Sequence, residues 1–103
     1  MHEIDNITQR LSDFIVTEVQ KPTFFAGSKI KIPIRVENPA QGATKPNYDT
    51  NITVCIQKNT LNLPEMRRLR RQYMQWISNH PPDTYSELGI TQNFCSYVET
   101  NLR

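Results

Sequence analysis

The chain has 103 residues, of which 37% are hydrophobic and 21% charged, with a net charge of +2. That length suits one domain whose elements share a modest core, and the charge alone is too small to announce a nucleic-acid partner. No apolar run approaches a bilayer span, and Met1 leads straight into His2 and Glu3 without a signal peptide, so a soluble cytoplasmic protein with no membrane partner is expected.

Ile4, Ile7, Leu11, Phe14 and Ile15 recur at spacings of three and four and predict an N-terminal helix. Its end is ambiguous, because Ile15, Val16, Thr17 and Val19 are also strand formers; the helix is expected to hand over to a strand near Thr17, before Pro22 blocks continuation. Residues 29–37 alternate without a break. Ile30, Ile32, Ile34 and Val36 point one way, and Lys29, Lys31, Arg35 and Glu37 the other. Pro33 cannot donate a ladder bond, which calls for a sheet edge or a bulge. A second one-sided strand is predicted over 51–57, with Ile52, Val54 and Ile56 facing inward. The connection between them, 38–50, holds Pro39, Gly42, Pro46 and Tyr48, and a loop of that length reads first as a flexible segment, with recognition as the alternative.

Asn62, with Glu65 three residues on and Leu61 and Met66 as a hydrophobic staple, starts the next helix. Leu63, Met66, Leu69, Tyr73, Trp76 and Ile77 mark its apolar stripe, and His80 before Pro81 and Pro82 ends it near Asn79. Thr84-Tyr85-Ser86-Glu87 is a second capping pattern, read as a short helix closed by Gly89. Thr91 then caps a last helix with Phe94, Cys95, Val98 and Leu102 on one face. One helix, two or three strands and then further helices predict an α+β fold: a small two- or three-stranded antiparallel sheet covered by an N-terminal helix and C-terminal helices.

The residues that carry chemistry are scarce. His2 is at the chain start and His80 precedes two prolines, while Gly27, Gly42 and Gly89 are isolated and build no phosphate loop. Cys55 and Cys95 are forty positions apart with no histidine near either, so they make no zinc site and read as reduced, buried thiols. Two glycosylation triplets, Asn6-Ile7-Thr8 and Asn51-Ile52-Thr53, are of the kind that chance supplies in an Asn- and Thr-rich chain. These absences predict a protein that is not an enzyme and holds no metal or cofactor.

Charge is distributed more tellingly than its total suggests. Arg67, Arg68, Arg70 and Arg71 cluster, whereas the first twenty residues carry Glu3, Asp5, Asp13 and Glu18 against Arg10. On a helical wheel Arg67, Arg68 and Arg71 lie opposite the stripe, and Arg70 sits at its boundary. Like charges at i and i+4 repel mildly, and a partner bearing carboxylates or phosphates would relieve that cost. The segment Tyr85-Ser86-Glu87-Leu88-Gly89-Ile90-Thr91-Gln92 resembles the turn of a helix-turn-helix. Under that resemblance Gln92, Asn93 and Ser96 would approach base edges. Tyr85 stands where a small residue is usual, and Glu99 opposes a polyanion. The leading expectation is therefore a non-enzymatic protein-binding module, such as a small inhibitor, adaptor or accessory subunit. It would meet another protein with an acidic surface through Arg67, Arg68 and Arg71, then Lys31, Arg35 and Tyr48, with a nucleic-acid-binding regulator as the alternative.

Overall fold

The computed structural model describes the chain at residues 2–36, 47–82 and 86–102. Helix α1 spans His2–Val19, strands β1 and β2 span Lys29–Val36 and Asn47–Cys55, and helices α2 and α3 span Leu63–Asn79 and Glu87–Asn101. The fold is α+β, with the helices flanking a two-stranded antiparallel sheet as the sequence predicts.

Helix α1 runs on past the expected handover. Ile4, Ile7, Leu11, Ile15, Val16 and Val19 are all buried on one face, so tertiary packing overrides the strand preference of the last turn. Thr17 is accommodated because its hydroxyl donates to the Asp13 carbonyl at 2.8 Å. After the helix, the Ser28 N–H donates to the Phe25 carbonyl with Gly27 at φ +90°, the left-handed position that a type II turn reserves for glycine. Gly27 and Ser28 then both oppose Ile56: the Gly27 N–H donates to its carbonyl at 2.7 Å, and its N–H donates back to Ser28. This is a G1 bulge at the mouth of the ribbon.

From there Ile30 faces Val54 and Ile32 faces Ile52, both across hydrogen-bonded positions, and these residues with Ile34 turn toward the core. Pro33 faces Asn51 at a position whose N–H would point away from the partner strand, so its missing donor costs the ladder nothing. A register shift follows between Ile34 and Val36. Strand β2 begins at Asn47, four positions ahead of the expected start, which moves Tyr48 out of the connection and into the strand. Ile56 lies beyond its end but is fully buried. Residues 37–46, which hold most of the connection expected over 38–50 as a flexible or recognition loop, lie outside the described residues.

The Asn62 side chain accepts the Glu65 N–H at 2.9 Å, Pro64 lies in the first turn of α2, and the His80 N–H closes the helix on the Trp76 carbonyl. Leu61 and Met66 are both buried, as a staple requires.

The last helix departs from expectation. Ser86 is its cap, accepting the Gly89 N–H at 3.1 Å, and α3 then runs unbroken through Gly89 and Thr91 to Asn101. A glycine that ends a helix takes a positive φ, and among the described residues only Gly27 does so. Thr91 is fully buried inside the helix rather than at its start. The two helices of the expected helix-turn-helix are one helix, so no turn separates Gly89 from Thr91. Helix α3 is the centre of the molecule, packed against both strands and both other helices. The Glu99 carboxylate on it accepts the Cys55 N–H at 2.7 Å and covers the outer edge of β2.

Candidate functional site

Helix α2 buries Met66, Leu69, Tyr73 and Ile77, and its two flanks carry the exposed chemistry. One flank faces α1. Arg67, Arg70 and Arg71 line a depression of about 350 Å³ with Gln9, Ser12 and Asp13. Arg70 is half-buried and paired with Asp5, which ties α2 to the start of α1. Arg67, Arg68 and Arg71 are exposed and make no ion pair with any described carboxylate. Three guanidiniums held on one rigid helix present forked donors that match carboxylate or phosphate oxygens. Asp5 and Asp13 are exposed on α1 alongside them.

Lys31, the next expected contact residue, is not gathered there. Lys31 is exposed on the outer face of β1, beside a depression it shares with Glu18, Lys21 and Lys29. Arg35 lies in β1 and Tyr48 in β2, but their side chains fall outside the described residues. Of the residues expected to meet base edges, Gln92 and Asn93 stand together and Ser96 is exposed one turn further along α3.

The opposite flank of α2 holds what the sequence reading missed. Trp76, assigned to the core stripe, is 43% exposed. At 100° per residue it sits at the rim of the apolar arc, about 160° around the helix from the mean direction of Arg67 and Arg71. That rim position was the signal available in the sequence. Its indole stacks on His80 at 4.8 Å and 8°, and His80 Nδ1 lies 3.2 Å from the Trp76 carbonyl oxygen. Inside the stack, Tyr73 meets Phe94 and Tyr97 edge-on at 5.1 and 5.2 Å. Trp76 and His80 border a depression of about 350 Å³ with Pro81, Pro82, Gly89, Gln92 and Asn93.

Beneath this flank the titratable groups are quiet. Burial pushes the Tyr73 phenol up to about 12, with Cys95 adding to the effect. Burial also pushes the Cys95 thiol up to about 12, helped by the Glu99 carboxylate. A thiol held neutral in this way is a poor nucleophile. Both cysteines are free, Cys55 half-buried and Cys95 buried. Among the described residues, no group of three His, Cys, Asp or Glu is placed to hold a metal ion, and no helix is long and apolar enough to cross a membrane.

The fold and these surfaces define a small α+β protein built around a central C-terminal helix, with a cationic and an aromatic flank on the helix before it. The family model described as "Chromatin associated protein KTI12" matches residues 1–99, and the chain belongs to that family. No curated protein matches the chain, and no solved structure does.

Proposed function

We propose that this chain is a non-enzymatic protein-binding module, an adaptor, inhibitor or accessory subunit, that docks an acidic surface of another protein through the arginine flank of α2. The observation that carries the reading is the contrast along one helix. Arg70 is engaged by Asp5, while Arg67, Arg68 and Arg71 are exposed and have no described carboxylate partner. The family description supports a partner met at chromatin, and so favours a nuclear setting over the cytoplasmic one expected from the sequence. Asp5 and Asp13 lie beside the arginines, which disfavours the evenly spaced charge of a nucleic-acid strand more than an acidic protein surface whose carboxylates can meet the guanidiniums singly. Loss of the helix-turn-helix geometry weakens the nucleic-acid reading further.

The test sets a labelled glutamate-rich peptide beside a labelled DNA duplex, both titrated with the chain at low salt and read by anisotropy. The peptide is expected to bind saturably. An R67A/R68A/R71A variant is expected to bind it roughly tenfold to a hundredfold more weakly, with stability within about 0.5 kcal/mol of the parent. Unchanged affinity in the variant removes the arginine flank from the reading. Tighter binding to the duplex than to the peptide replaces it with a nucleic-acid function.

A further inference from the structure

The segment that joins α1 to β1 carries an apolar side chain that the fold leaves outside. Phe25 is 71% exposed, more than any other large apolar side chain among the described residues. The adjacent Phe24 is packed against the core, so one of two neighbouring rings anchors the segment and the other stands clear of it. Two successive turns hold the backbone: the Phe24 N–H donates to the Lys21 carbonyl at 3.0 Å, and the Ser28 N–H to the Phe25 carbonyl at 2.9 Å. Pro22 and Ala26 follow the first residue of each turn and are exposed as well. The Gly27 N–H ties the second turn to the Ile56 carbonyl, so the tip is set in place before any contact is made.

Cations flank this tip. Lys21 precedes it, Lys29 and Lys31 follow it, and the sequence has no Asp or Glu between Glu18 and Glu37. The three lysines are exposed and border one depression with Glu18. Glu18 is held by Lys21 at 2.8 Å, whereas Lys29 and Lys31 make no ion pair with any described carboxylate. A protein partner would need a hollow shaped to the protruding ring. A nucleic-acid base would need polar groups for its edges, and Pro22, Phe25 and Ala26 have no side chain that donates or accepts. A lipid surface needs neither, because it yields around an apolar side chain and offers anionic headgroups to the lysines behind it. An apolar tip and a basic collar are the two signals that reversible membrane anchoring takes.

We infer that the Phe25 tip docks the chain on an anionic membrane surface. The Phe25 ring enters the boundary between headgroups and acyl chains, with Pro22 and Ala26 beside it, while Lys21, Lys29 and Lys31 face the headgroup charge. The chain lies on the bilayer and does not cross it, in keeping with the absence of a sufficiently long apolar helix among the described residues. The tip is apart from α2 and does not depend on the arginine reading.

Co-sedimentation of the full chain with vesicles tests it, using equal parts of phosphatidylserine and phosphatidylcholine beside phosphatidylcholine alone, at low salt. The chain is expected to pellet with the anionic vesicles and to stay in solution with the neutral ones. An F25A variant is expected to bind the anionic vesicles roughly tenfold more weakly, and a K29Q/K31Q variant roughly tenfold to thirtyfold more weakly. All three positions are exposed, so the melting temperature of each variant is expected to match the parent's. The R67A/R68A/R71A variant is expected to pellet as the parent does, which separates failure of this inference from failure of the proposed function. Loss of pelleting in that variant assigns the lipid contact to the arginines and overturns the inference. Equal recovery with both vesicle types, recovery with neither, or an F25A variant that pellets like the parent also overturns it. So does saturable binding of oligothymidine that F25A abolishes, which would give the tip to a nucleic acid.

Discussion

The two flanks of α2 share one backbone and one buried stripe, yet they are supported in different ways. On the α1 side, Arg67 and Arg71 stand in solvent beside Asp13, and the polar contact beneath them is the pair of half-buried Arg70 with exposed Asp5. On the other side, Trp76 rests on a layered set of rings, Tyr73 and Tyr97 and then Phe94, that continues into the hydrophobic core. A charged flank of this kind can be stripped without disturbing the fold. An aromatic flank cannot, because its outer ring is the last layer of the core itself.

The most severe way to probe that contrast is Phe94→Ala. Phe94 is fully buried under Tyr73, and its loss should cost about 3–5 kcal/mol. At roughly 4–8 °C per kcal/mol for a domain of this size, the melting temperature should fall by well over 10 °C, against almost no change for the arginine variant. A fall of only a degree or two would break the comparison.

Alkaline titration sharpens it next. Tyr73 and Cys95 both have folded-state values near 12, above their ordinary 10.0 and 9.0. Above pH 9 the unfolded chain releases these protons while the folded chain keeps them. Stability is therefore full below about pH 9 and declines as the pH rises toward 12. Thermal melts across that window should show the decline, and Cys95→Val should remove its lower part. A parent melt that stays level from pH 9 to 11 would show that the layer under Trp76 is wet.

The smallest effect concerns Thr91, whose hydroxyl is buried in α3 without a hydrogen-bond partner. Thr91→Val keeps the shape and removes an unpaired polar atom, so it should raise stability by about 1 kcal/mol. A loss of stability in denaturant unfolding would mean that the hydroxyl has a partner after all.

Much of this fold was legible because local and tertiary preferences agree. Strand β1 alternates without interruption, and α2 has its Asn62 cap, its staple and its terminal prolines, so both were placed within a residue. Where the two levels diverge, the sequence misleads. The last turn of α1 is rich in β-branched residues that favour a strand in isolation, but Val16 and Val19 fall on the buried face of a helix. Gly89 looks like a helix end, yet the Ser86 hydroxyl three residues earlier makes it part of a first turn. The arginine flank was readable from angular position alone. The aromatic flank was not, because a wheel gives direction and cannot say how far a neighbouring helix extends to cover a ring at the rim.

The bond from the Cys55 amide to Glu99 spans forty-four positions of sequence. Edge strands ordinarily fray on their own, one amide at a time. Here a carboxylate from the central helix clasps the end of β2, so that end cannot peel outward unless α3 also shifts and the carboxylate surrenders its donor. The border of the ribbon is thereby yoked to the interior, and its opening becomes a property of the whole molecule rather than of one loose margin.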